Sequence, residues 1–104
     1  MNQVLLLITT EKNKKVAKKI AKLLLKKKLA ACVSLKDIYS IYEWEGKIEA
    51  INEVEITIKS KPKLKRALIV LLQKMISYDV PQIIYKKFNS EKDYANWVNQ
   101  SCST

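Results

Sequence analysis

Apolar and polar residues alternate along this chain in segments whose period changes several times. Val4 to Ile8 is a short unbroken apolar run with β-branched ends, the pattern of a strand covered on both faces. Thr9-Thr10-Glu11 then offers side-chain oxygens that can cap a helix. From Lys14 to Leu29, Val16, Ile20, Leu23 and Leu24 recur at helical spacing while Lys15, Lys18, Lys19, Lys22 and Lys26 fill the other side. This predicts an amphipathic helix lying on a sheet. β-type patterning follows in two arms, Val33 to Trp44 and Lys47 to Lys59, separated by the one glycine of the chain, Gly46. In the second arm Val54, Ile56 and Ile58 alternate with Glu53, Glu55 and Thr57, and the alternation fails at Ile51-Asn52, where a bulge is expected.

Pro62 suits the first turn of a helix, and Leu64, Ala67, Leu68, Leu71, Leu72 and Met75 then give the clearest helical period of the sequence. Tyr78-Asp79-Val80-Pro81 ends it, and Gln82 to Phe88 reads as another strand. Ser90 three residues before Asp93 resembles a capping box, and Tyr94, Trp97 and Val98 share one face of a terminal helix. The order is β-α-β-β-α-β-α with no linker and no repeat. That is an α+β, ferredoxin-like split β-α-β fold, with a long hairpin between its second and third strands, in one domain over residues 1–104.

The hairpin is too long for its body. Arms of a dozen residues reach about 40 Å, whereas a compact domain of this size is about 34 Å across. The far end carries Ile38, Tyr39, Ile41, Tyr42, Trp44 and Ile48, a patch that marks a contact with another chain. Pairing with a neighbouring copy, extending a sheet across the interface, is the expected solution.

Composition narrows the chemistry. With 104 residues the chain has room for one core. No apolar run reaches the ~20 residues of a membrane span, and the N-terminal run lacks the flanks of a secretion signal. Two distant cysteines do not make a disulfide framework, which points to a reducing, cytoplasmic setting. Histidine is absent, there is no Gly-rich phosphate loop, and no paired carboxylates stand out, so a binding protein is expected rather than an enzyme. The formal charge of +10 comes from 20 basic and 10 acidic residues, nearly all the positive charge being lysine, with Arg66 the single arginine. A solvated lysine surface is the favoured reading of that excess, ahead of a nucleic-acid surface, which would use arginine forks as well.

Few residues stand out as functional. Cys32 reads as a small buried hydrophobe, or as a thiolate ligand for Cu(I), and Cys102 as exposed and incidental. Tyr42 and Trp44, two apart, share one strand face and suit interface packing more than ligand stacking. Lys59 ends its strand, Tyr78 and Asp79 stop a helix, and Glu43, Glu45 and Glu49 read as a solubilising hairpin tip ahead of a cluster that gathers a hard cation.

Several of these stretches together resemble the CutA divalent-cation tolerance family. They are Leu29-Ala30-Ala31-Cys32-Val33, Ile38 to Ile48 with its Ile-Tyr-x-Trp-x-Gly pattern, Ile56-Thr57-Ile58-Lys59-Ser60, Tyr78-Asp79-Val80-Pro81-Gln82-Ile83, and Tyr94-Ala95-Asn96-Trp97-Val98. The match covers nearly the whole chain in order. The resemblance implies a ferredoxin-like subunit, a tight homotrimer joined through its hairpins, and a cytoplasmic role tied to divalent metal ions, copper especially. It also implies an inter-subunit cleft involving Tyr42, Trp44, Lys59, Tyr78 and Gln82, with Lys59 pairing an acid such as Asp79. Where the family usually has His-Pro this chain has Ile76 and Ser77, and two family glutamates become Asp79 and Gln82. Ion binding is therefore expected to be weaker and to rest on Cys32, Asp79 and nearby acids. The rival expectation is a trimer resembling PII regulators, binding a small anionic metabolite between Lys59 and the lysine-rich first helix.

Overall fold

The computed structural model describes residues 2–102, and its elements follow the expected order. They are β1 (Gln3–Glu11), α1 (Lys14–Lys26), β2 (Cys32–Trp44), β3 (Lys47–Ser60), α2 (Lys65–Met75, entered through a 3-10 turn at Pro62–Leu64), β4 (Ile84–Asn89) and α3 (Lys92–Ser101). The strands make one antiparallel sheet in the order β2-β3-β1-β4. The α+β, split β-α-β architecture is as the periodicities predict.

The strand period of two decides where the core sits. Leu5, Leu7, Thr9 and Glu11 of β1 stand opposite Ser60, Ile58, Ile56 and Val54 of β3, and all eight are buried. α1 and α2 both cover that face, through Ala17, Ile20 and Leu24 of α1 and Leu68 and Leu72 of α2. Each fully buried Leu or Ile contributes about 1.5–3 kcal/mol, which outweighs the mutual repulsion of the α1 lysines. On the other face Val4 meets Ala95 and Val98 of α3, with Ala31 beside them. The remainder of that face is open within one chain. Leu6 and Ile8 are half-buried, and Ile84 and Phe88 of β4 are exposed, so β1 is not covered on both faces along its length.

Four local expectations change. β1 runs on to Glu11 because Thr9, Thr10 and Glu11 pair with Ile56, Glu55 and Val54, so none of them caps α1. Asn13 does, accepting the Val16 N–H at 3.1 Å. α1 stops at Lys26 rather than Leu29: Lys28 takes a left-handed φ of 58°, the Leu29 N–H reaches the Leu24 carbonyl at 2.9 Å and the Lys28 N–H the Leu25 carbonyl at 3.0 Å. Ile51 and Asn52 carry no bulge, facing Ser40 and Tyr39 in an unbroken register. The alternation fails there because the ribbon has left the body, so no core dictates which side is apolar. At α3 the Ser90 hydroxyl donates to the Glu91 carbonyl, so the anticipated capping box does not form.

The hairpin overhang is present. β1 stops at Glu11 opposite Val54, so Ile38–Trp44 and Lys47–Glu53 continue as a two-stranded ribbon, in a molecule that measures 46 × 25 × 22 Å. Its turn places Glu45 and Gly46 at φ of 50° and 78°, the positive values a two-residue primed turn needs.

Candidate functional site

The end of β1 and the departing ribbon leave a step in the sheet, and the chain emerging from α2 crosses it. What pins the crossing segment is Glu11, fully buried at the last position of β1. Its Oε1 accepts the Ser77 N–H at 2.8 Å, and its Oε2 accepts the Ser77 hydroxyl at 2.8 Å and the Asn13 N–H at 2.9 Å. One carboxylate thus ties the end of β1, the start of α1 and the exit of α2 together. Three donors to a charged acceptor satisfy a group whose burial would otherwise be costly.

The next residue reaches across the step. The Tyr78 hydroxyl donates to Glu53 Oε1 at 2.8 Å, joining the crossing segment to the last ribbon residue of β3, next to the body. A cavity of about 520 Å³ lies here, with Ser40, Tyr42 and Trp44 of β2 on one side and Tyr78, Asp79 and Gln82 on the other. Glu53 and Lys12 also line it, giving it charges of both signs. Tyr78, Asp79 and Val80 line a second cavity of about 570 Å³ as well, together with Ile69 and Tyr85, so this short segment separates two hollows.

Burial, the hydrogen bond to Glu53 and that residue's negative charge, in that order, push the Tyr78 phenol well above its usual value near 10. A raised phenol pKa favours the protonated form in the folded state. Its contribution to stability is therefore complete below about pH 10 and is lost as pH rises through the folded-state value. An alkaline titration followed by phenolate absorbance is expected to show a late step from a phenol that stays protonated well above pH 10. In the Tyr78→Phe variant the late step disappears. A wild-type titration curve with no late step for the Tyr78→Phe variant to lose would refute this.

The residues anticipated from sequence fall in two groups. Tyr42, Trp44, Tyr78, Asp79 and Gln82 all line the 520 Å³ cavity. Tyr42 and Trp44 do share a face, and both are about two-fifths exposed in the single chain. Gln82 lies ahead of β4, which starts at Ile84 rather than Gln82. Cys32 and Lys59 are at the other end of the hairpin, directly opposite each other in the β2–β3 register. Ten residues of strand separate Cys32 from Tyr42, about 33 Å, so within one chain Lys59 does not pair Asp79 and Cys32 does not join it as a ligand. Among the described residues no three His, Cys, Asp or Glu side chains come together as a metal cluster. Cys32 is half-buried, and Cys102, expected on the surface, is buried with its Sγ 3.7 Å from the Ser60 hydroxyl. The terminal helix folds back over the sheet and carries Cys102 inward.

Glu11, Glu53 and Ser77 are the site residues that sequence reasoning missed. Glu11 carries a signal only in hindsight of its position, a carboxylate ending an apolar strand. Glu53 is indistinguishable from Glu55 in the alternation, since only the crossing of Tyr78 separates them. Chemically the cleft offers carboxylate, amide and hydroxyl oxygens beside two aromatic faces, with the Lys12 ammonium among them.

Against known proteins, the family model described as CutA1 divalent ion tolerance protein matches residues 5–101. A mouse protein named Protein CutA is 42% identical over 90 residues, covering 85% of this chain and 51% of its own length, so the chain spans about half of that relative. The divalent-cation tolerance protein CutA of Pectobacterium atrosepticum is 38% identical over 87 residues, covering 82% of this chain and 79% of its own. Among solved structures, CutA1 from Pyrococcus horikoshii superposes with a TM-score of 0.92 at 32% identity, over 96% of this chain and 99% of that one.

Proposed function

The chain belongs to the CutA1 divalent ion tolerance family, and from that premise we propose a homotrimeric, non-enzymatic member that binds a divalent metal ion, copper foremost, as part of metal tolerance. The observation carrying this reading is the step at the end of β1. The cavity there holds Glu53 and Asp79 but is bounded on one side by an unsupported ribbon. Two-stranded ribbons are marginal alone, and this one exposes Tyr39, Ile41 and Ile48. A neighbouring copy laid along it covers that apolar surface and completes the cleft. The trimer also accounts for the separation of Cys32 from Asp79, since the two can meet only between copies. Carboxylate oxygens serve a hard divalent ion, and the Cys32 thiolate serves Cu(I).

A reducing, cytoplasmic compartment is part of the proposal, because Cys32 and Cys102 are both free thiols. Among the described residues no helix is long and apolar enough to cross a membrane.

Protein purified without added metal, weighed in solution and titrated calorimetrically with copper and with a nucleotide panel, tests the reading. The expected result is a mass three times 12.0 kDa and a copper heat that falls at least about tenfold in affinity in Asp79→Asn, the scale of about 1.4 kcal/mol for one lost charged ligand. A nucleotide heat without a copper heat would replace it with the regulator-like alternative. A single-copy mass would end it.

A further inference from the structure

The charges of this chain are sorted by layer. Residues 12–28 contain nine lysines and residues 61–75 contain Lys61, Lys63, Lys65, Arg66 and Lys74, while neither segment contains an acid. Fourteen of the 20 basic residues therefore lie in two segments, leaving six basic and all ten acidic residues elsewhere. The helical segments carry a formal +14 and the rest of the chain −4, which together make the net +10. Counting along the sequence shows an excess of lysine; the fold shows that most of it belongs to one side, Lys12 excepted, which lines the cleft. Both helices pack on the same face of the sheet, in one core. Of the fourteen, only Lys61 is buried. Lys14 is engaged by Asp37 at 2.9 Å and Lys65 lies over the Tyr85 ring at 4.8 Å. Lys15, Lys18, Lys19, Lys22 and Lys26 form a stripe along α1 with neighbours three or four residues apart, a like-charge spacing that weakens the helix.

We infer that the outer face of the helical layer is a docking surface for the phosphate backbone of double-stranded nucleic acid. The 13 residues of α1 span about 20 Å, a length over which a duplex presents about twelve phosphates. Lysine is a point charge on a flexible stem, suited to backbone contact rather than to forked reading of base edges. Residues 12–28 and 61–75 contain no Phe, Tyr or Trp, so the face has nothing on which unpaired bases stack. A lipid surface fits less well. The apolar side of α1 is committed to the core through Ala17, Ile20 and Leu24, so the helix has no apolar face to insert. Glu53 and Asp79 line the cleft, whereas none of Lys15, Lys18, Lys19, Lys22 and Lys26 does, which sets the polyanion face apart from the cleft.

The full chain is titrated by fluorescence anisotropy with a labelled mixed-sequence DNA duplex over a range of salt. Binding is expected to be independent of sequence and to weaken about 10³-fold between about 50 and about 200 mM salt if about six phosphates are neutralised. Exchanging Lys15, Lys18, Lys19 and Lys22 for glutamate is expected to abolish it. The milder set, K15Q/K18Q/K19Q/K22Q, keeps the fold and is expected to reduce the slope of log affinity against log salt by about one per lysine removed. An RNA duplex of the same sequence distinguishes which backbone is preferred, and either preference supports the assignment. Absence of binding at low salt, an unchanged salt slope in the glutamine set, or equal capture by vesicles of equimolar phosphatidylcholine and phosphatidylserine would overturn it.

Discussion

Aspartate at both Ile41 and Ile48 is expected to reduce the assembly to single copies. The two side chains lie on the same face of the ribbon, in the register where Ile41 opposes Ala50 and Glu43 opposes Ile48, and they are 67% and 81% exposed in one chain. Neither joins the core, so the subunit itself has no reason to unfold. In the proposed trimer each isoleucine covered by a neighbour contributes about 1.5–3 kcal/mol, and an aspartate there must be desolvated as well. A loss of about 5 kcal/mol per interface weakens association by more than about 10³-fold, enough to separate copies at micromolar concentration. Tyr42 and Trp44 point to the opposite face, so the double variant leaves the cleft-lining aromatics in place. Light scattering checks the mass, and circular dichroism checks that the fold survives. A double variant that stays at the wild-type oligomeric mass shows that the ribbon does not hold the assembly together.

Glu11→Ala is expected to be the most damaging single change to the cleft. The residue does not line the cavity; it positions the segment that does. Removing its carboxylate strands the N–H groups of Asn13 and Ser77 and the Ser77 hydroxyl at a site where Glu11 itself is fully buried. Asn13 and Ser77 are exposed residues whose bonds to Glu11 are part-buried, so water takes over some of the lost bonding and a loss of about 1–3 kcal/mol is expected, lowering Tm by roughly 4–8 °C per kcal/mol. Ser77→Ala removes only the hydroxyl bond and is expected to cost about 1 kcal/mol. Denaturant midpoints at one fixed protein concentration measure both. The crossing segment should also become the first point of proteolytic cleavage in Glu11→Ala, since Tyr78 then holds it to Glu53 alone. If Glu11→Ala lies within about 1 kcal/mol of wild type, the carboxylate is not the anchor the geometry makes it.

How the site was legible differs from residue to residue. Tyr42, Trp44, Tyr78, Asp79 and Gln82 were gathered by resemblance, and they line one cavity. Cys32 and Lys59 came from the same resemblance, yet one chain keeps them about 33 Å from Tyr42, since a strand cannot bring its two ends together. Local pattern makes Glu11 a candidate helix cap, because a polar oxygen just before a helix often is one. Whether that backbone belongs to a strand instead depends on Val54, more than forty residues later, pairing with it.

The sequence by itself determined the element order, the hairpin at Gly46, the buried faces of both long helices and the overhang of the ribbon. All of these follow from periods of two and 3.6 and from the reach of an extended chain, which are local properties. Only the tertiary structure decided that β1 ends at Glu11, that Ser77 and Tyr78 cross the step there, and that the two lysine-rich helices share one layer. Those facts depend on contacts between residues far apart along the chain, and one such contact, the burial of a single carboxylate against the exit of α2, shapes the cleft.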